Sequence, residues 1–121
     1  MMRVFVCDDD KDILELMEML LNESGHIVMA TEYCDADILK SIEDFNPDIM
    51  IFDYWLNGIK SDKIIKNIRK NKKIKKIPII LISAAADLEK IVKNIPVDDY
   101  MKKPFDINDL LYKVKHTIHY A

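Results

Sequence analysis

The chain has 121 residues, 50% of them hydrophobic and 32% charged, with a formal net charge of -3. That is the size of one domain, with ample apolar surface for a single core. No apolar stretch nears the roughly 20 residues of a membrane-spanning helix, and Met1-Met2-Arg3-Val4 leads into a strand pattern instead of a signal peptide, so a cytoplasmic protein is expected.

Arg3 to Cys7 is an apolar run that reads as a first strand. Asp8, Asp9 and Asp10 follow at once, with Asp12 two residues on. Two unit charges about 5 Å apart repel by roughly 3 kcal/mol at an effective dielectric near 20, so the cluster calls for a counter-charge. Ile13, Leu14, Met17, Leu20 and Leu21 share one helical face, which predicts an amphipathic helix ending near Gly25. Asp10 and Asp12 suit the acidic start of that helix. Ile27 to Thr31 reads as the second strand. Ile38, Leu39, Ile42 and Phe45 predict a helix between Asp35 and Asn46, capped by Asp35 and stopped by Pro47.

Asp48 to Phe52 is the third strand and runs into Asp53. Ser61 is read as the cap of a third helix that turns Ile64, Ile65 and Ile68 inward. Its outer face belongs to Lys60 to Lys76, where nine Lys and Arg accompany the single acid Asp62. With no aromatic or Arg-rich interleaving, this run reads as a solvated helix face, and direct nucleic-acid binding is not expected. A fourth strand at Ile77 to Ile82, a helix at Ala84 to Asn94, a fifth strand at Val97 to Met101 and a last helix from Asp106 to His119 complete the chain. The last helix is expected to bury Ile107, Leu110, Leu111, Val114 and Ile118. Cys7 and Cys34 lack CxxC spacing and are read as small buried hydrophobes, while His116 and His119 are read as surface residues.

Five alternations of strand and helix imply a parallel sheet with right-handed crossovers and helices on both faces. The first, third and fourth strands are nearly continuous in apolar residues and belong in its centre. Ligands of such sheets bind beyond the carboxyl ends of the strands. Asp8 and Asp9 leave the first strand at that edge and Asp53 leaves the third, so adjacency of those strands brings three carboxylates to one spot. Clustered carboxylates suit a hard, oxygen-preferring cation such as magnesium. Ser83 adds a hydroxyl after the fourth strand and Lys103 a positive charge after the fifth, the two groups a phosphoryl ligand needs.

The motifs "CDDD", "IFDYWLNG", "LISAAAD" and "DDYMKKPFD", in this order and spacing, resemble the receiver domains of two-component response regulators. The resemblance spans essentially the whole chain and implies a single receiver domain over residues 1–121. The implied fold is α/β: a flavodoxin-like (βα)5 doubly wound parallel sheet with strand order 2-1-3-4-5. It further implies Asp53 as phosphoacceptor and Asp9, Asp53 and the Trp55 carbonyl as direct magnesium (Mg2+) ligands, with Asp8 acting through bound water. Ser83, the Ala84 N–H and Lys103 would hold the phosphoryl oxygens. Tyr100 matches the aromatic that follows activation, and the Lys103–Pro104 bond matches the family's cis peptide. The implied protein is a signalling switch and not an enzyme. Its implied partners are a histidine kinase or phosphotransfer protein, a downstream protein or effector domain, and a second copy in a homodimer through the last two structural repeats. The chain would act alone or be a piece of a longer protein.

Three departures stand against the family pattern. Asn57-Gly58 replaces the usual proline in the loop after Asp53, which implies a looser or differently shaped turn. Ile95-Pro96-Val97 replaces the small residues before Asp98-Asp99, and the Ser83 to Lys103 interval is slightly short, so the fourth helix is the element least defined by sequence. Two other classes compete. An aspartate-nucleophile phosphohydrolase of the haloacid-dehalogenase type would want an acid where Trp55 stands. A non-phosphorylated binding module would use the Lys60 to Lys76 face.

Overall fold

The structure, a computed structural model, describes residues 1–35 and 37–120, and the side chains of those up to 117. Five strands, β1 (Arg3–Cys7), β2 (Ile27–Thr31), β3 (Ile49–Asp53), β6 (Ile79–Ser83) and β7 (Asp99–Lys102), form one sheet. The order is β2-β1-β3-β6-β7, and every neighbouring pair is parallel. Numbered among themselves these strands run 2-1-3-4-5, the expected flavodoxin-like arrangement. A two-stranded antiparallel ribbon, β4 (Trp55–Leu56) and β5 (Ile59–Lys60), stands apart from the sheet.

Alternation along the central strands divides the core in two. Phe5, Met50, Phe52, Ile79 and Leu81 point to one face, under α2 (Ile38–Phe45), α3 (Asp62–Lys70) and α4 (Leu88–Ile91). Val4, Val6, Ile49, Ile51, Ile80 and Ile82 point to the other, under α1 (Lys11–Glu23) and α5 (Ile107–Tyr120). The sheet is covered on both sides, so β1, β3 and β6 need apolar residues at nearly every position. Each such side chain, once fully buried, contributes about 1.5–3 kcal/mol.

Local chemistry sets the helix ends. The Asp10 carboxylate caps α1 by accepting from the N–H groups of Asp12 and Ile13, and Gly25, at φ 89°, takes the left-handed position after the helix. Asn46 ends α2 in the same left-handed region, with its N–H donating to the Ile42 carbonyl. The two other expected caps are corrected. Asp35 sits ahead of α2, where its carboxylate accepts from the Asp37 N–H, and the helix begins only at Ile38. Ser61 stands at the start of α3, but its hydroxyl makes no capping bond, because the residue has helical and not extended backbone angles, and it is buried without a hydrogen-bond partner among the described residues.

The fourth helix is the largest difference from expectation. In place of Ala84 to Asn94, α4 covers Leu88–Ile91 and continues as a single 3-10 turn, Val92–Asn94. The Ser83 hydroxyl accepts from the Ala85 N–H, which holds the chain in a turn, and Leu88 is the first residue of the segment to reach the core. Strands β6 and β7 each start two residues later than the apolar pattern suggests. Pro78 and Pro96 lack the N–H a ladder needs and occupy the approaches. The α5 helix reaches Tyr120 and buries Leu110 and Val114, while the side chains of Ile118 and His119 lie outside the described residues.

Within the basic run, Arg69 is no part of a solvated face. Its guanidinium donates to the carbonyls of Pro96, Lys75 and Ile77 at 2.7–2.9 Å and pairs with Asp98 at 2.7 Å. Asp98 in turn accepts from the Ile79 N–H. This clamp fastens the Ile95-Pro96-Val97 segment to the end of α3. No helix among the described residues is long and apolar enough to cross a membrane.

Candidate functional site

The strand order puts the carboxyl ends of β1, β3, β6 and β7 side by side. Asp8 and Asp9 follow the last residue of β1, Asp53 is the last residue of β3, Ser83 the last of β6, and Lys103 follows β7. The register keeps them level, with Asp53 opposite Ile82 and Ser83 opposite Lys102, while the Lys103 N–H donates to the Ser83 carbonyl at 2.8 Å.

One carboxylate oxygen from each of Asp8, Asp9 and Asp53 lies within 4.8 Å of the others. Asp8 is fully buried and Asp53 is 6% exposed, so neither charge is relieved by water. Lys103 Nζ lies 2.8 Å from Asp8 Oδ2 and 3.3 Å from Asp53 Oδ2. One ammonium therefore faces three carboxylates. Burial, then the charge of Asp8, push the Asp53 carboxyl up to about 7, with Lys103 offsetting part of the effect. Burial would lower the Lys103 ammonium, but its bonds to Asp8 and Asp53 outweigh that and hold it above its usual value. Asp8 Oδ2 has the ammonium at ion-pair distance but no aligned hydrogen bond, while Asp8 Oδ1 accepts from the Asp10 N–H. An all-oxygen donor set with an under-bonded buried oxygen and surplus negative charge fits a hard divalent cation.

The remaining expected residues take different places. Ser83 is buried at the end of β6, and Ala84 beside it is exposed. Trp55 is 45% exposed, and Tyr100 is half-buried against the face of the sheet that carries α2 to α4. The Lys103–Pro104 peptide is cis.

Two relationships at this edge were not read from the sequence. The Asn57 N–H donates to Asp9 Oδ2 at 2.8 Å from the tip of the β4–β5 ribbon, and Asn57 and Gly58 have φ of 53° and 78°. Positive φ at both central residues defines a type I′ two-residue hairpin, for which Asn-Gly is the strongest short sequence signal. The turn is thus differently shaped, as the lost proline implies, and not looser. The second is the contact of Cys7 Sγ with Cys34 Sγ at 2.7 Å, two free thiols next to Asp8. The bond with Cys34, and then burial, push the Cys7 thiol far up.

A doubly wound parallel sheet with three carboxylates and a lysine gathered at its carboxyl edge defines the class of α/β protein. A sequence profile described as "Response regulator receiver domain" matches residues 4–115, and the chain belongs to that family. A candidate response regulator from Chloroflexus aurantiacus is similar in structure at a TM-score of 0.86 and 27% identity, over 98% of each chain. NtrX from Brucella abortus matches at 0.85 and 27% identity, over 98% of this chain and 27% of that one. The receiver domain of a sensor histidine kinase from Pseudomonas aeruginosa, with a magnesium ion coordinated in its active site cleft, shares the fold at 0.84 and 21% identity, over 98% of each chain.

Proposed function

We propose that this receiver domain is a phosphorylation-controlled switch that accepts a phosphoryl group on Asp53 from a phosphohistidine of a kinase or phosphotransfer protein. The observation that carries the reading is the meeting of Asp8, Asp9 and Asp53 within 4.8 Å, with Lys103 ion-paired to the first and third. Asp9, Asp53 and the Trp55 carbonyl would hold magnesium directly, and Asp8 through water. The Trp55 assignment has support from the ribbon. Tyr54 accepts from the Ser61 N–H at 2.7 Å, so the next pair, Trp55 with Lys60, falls where the alternation turns backbone groups out of the ladder. When bound, the ion supplies positive charge to the equatorial oxygens and relieves the carboxylate repulsion.

An Asp53 oxygen attacks phosphorus in line as the P–N bond to the donor imidazole breaks, and that imidazole leaves with the bonding pair and takes up a proton. Lys103 moves its hydrogen bond from the Asp53 carboxylate to the incoming phosphoryl oxygens. The Ser83 hydroxyl and the Ala84 N–H complete the cradle. The acyl phosphate replaces one negative charge by about two. A shift of Ser83 toward it would strain the bond that its hydroxyl accepts from the Ala85 N–H and so loosen the turn leading into α4. Tyr100 and the faces of α4, β7 and α5 then carry the change to a reader protein or effector domain.

Treatment with acetyl phosphate and magnesium, followed by intact mass, tests the reading. The native chain should gain one phosphoryl group and Asp53→Asn none. A gain that survives the substitution would place the chemistry on another residue.

A further inference from the structure

Cys7 ends β1 and is fully buried, whereas Cys34 lies between β2 and α2 and is half-buried. Cys34 also lines an open groove of about 660 Å³ beside Leu56, Ile59 and Ile64. Twenty-seven positions apart in sequence, the two are brought together because β2 pairs with β1 and the chain leaving Thr31 folds back over the end of β1. Their sulfurs stand 2.7 Å apart, closer than the roughly 3.5–4.0 Å at which non-bonded carbon atoms settle. A disulfide needs about 2.05 Å, a further approach of about 0.7 Å. These are the chain's only cysteines, so nothing else in it competes for either sulfur.

We infer that Cys7 and Cys34 form a reversible intramolecular disulfide, with an organic disulfide as the oxidant and Cys34 as the sulfur it meets first. The Cys34 sulfur attacks the oxidant, R–S–S–R. A Cys34–S–S–R bond forms, the oxidant's S–S bond breaks, and one RSH leaves with the Cys34 proton. The Cys7 sulfur then attacks Cys34 Sγ, and the second R–S group leaves as RSH with the Cys7 proton. Two thiols are oxidised and one external disulfide is reduced to two thiols. Contact between the sulfurs makes the second step intramolecular, which offsets the scarcity of Cys7 thiolate. The bond joins the residue before Asp8 to the segment ahead of α2. That segment also meets the β4–β5 ribbon, where Asn57 Nδ2 donates to the Glu32 carbonyl at 3.3 Å. The inference goes beyond the phosphoryl reading and does not depend on it.

The full chain is titrated with oxidised glutathione and followed by non-reducing intact mass and peptide mapping. Both free thiols should disappear together, with a Cys7–Cys34 linked peptide in a monomeric chain, and both should return with dithiothreitol. Cys7→Ala should instead retain a glutathione adduct on Cys34, and Cys34→Ser should form neither adduct nor link. Asp53→Asn should oxidise like the native chain, which separates this outcome from that of the phosphoryl reading. A glutathione adduct that persists in the native chain, a linked dimer, or no reaction at Cys34 would each overturn the inference.

Discussion

The Asn57 N–H donates to Asp9 Oδ2 at 2.8 Å, tying the tip of the β4–β5 ribbon to the loop after β1. One oxygen of Asp9 is thereby fixed, which aims the carboxylate without consuming its remaining acceptor sites. A proline at position 57 would have no N–H to give and would lock φ near -65°, against the observed 53°. Asn57→Pro should therefore lose about 1–3 kcal/mol of stability and bind magnesium more weakly. Urea unfolding and calorimetry read the two effects, and unchanged values in both would show that the bond does not position Asp9.

Asp53 gives the folded chain a pH dependence of definite sign. Its carboxyl is raised from 3.8 to about 7, so folding favours the neutral form. The resulting stability is fully present below about pH 4 and is lost as pH rises through about 7. Asn at this position cannot ionise. In metal-free buffer, the stability of Asp53→Asn relative to the native chain should rise between pH 4 and 7, by on the order of 3 kcal/mol at most. Magnesium should stabilise the native chain at neutral pH more than the variant, and chelation should reverse it. A stability difference that is flat with pH would mean Asp53 is not desolvated as described.

The alternation of apolar runs made the doubly wound sheet legible, because β1, β3 and β6 are covered on both faces and must be apolar throughout. Asp8 and Asp53 were legible for the same reason, since an acid ending a buried strand can only lie at the sheet's edge. Strand starts were not, because Pro78 removes a ladder donor inside the fourth apolar run and the Val97 N–H is taken up locally by the Ile95 carbonyl. The caps at Asp35 and Ser61 depended on backbone angles that composition does not fix. The Cys7–Cys34 contact required knowing that β2 pairs with β1 in a given register. The hairpin was different, since Asn57-Gly58 carried its signal openly, but the family pattern drew attention to the missing proline instead.

Arg69 bridges three carbonyls and Asp98, with its side chain 19% exposed. Lysine keeps the charge but offers one nitrogen where the planar fork spans four acceptors. Arg69→Lys should cost about 1–3 kcal/mol, since most of the four acceptors, one of them the part-buried Ile77 carbonyl, lose their charged partner, whereas Lys66→Ala on the exposed face should cost less than about 0.5 kcal/mol. Chemical denaturation of the two variants provides the comparison. Equal effects would mean that the basic run acts as one solvated face after all.

Trp55 lies two residues past Asp53 at the open edge of the sheet, its ring edge-on to Tyr54 at 5.6 Å and under Lys60 Nζ at 5.6 Å. If Asp53 carries the phosphoryl group, a large ring held there narrows the path by which water reaches phosphorus. Asn is smaller and polar and can hydrogen-bond an incoming water, so Trp55→Asn should shorten the phosphoryl lifetime about tenfold, equivalent to roughly 1.4 kcal/mol of barrier. Only the side chain changes, so the backbone carbonyl remains and magnesium affinity should stay within a factor of about two. Mass measured over time after removal of the phosphodonor gives the lifetime, and an unchanged or slower decay in the variant would show that Trp55 does not control water access.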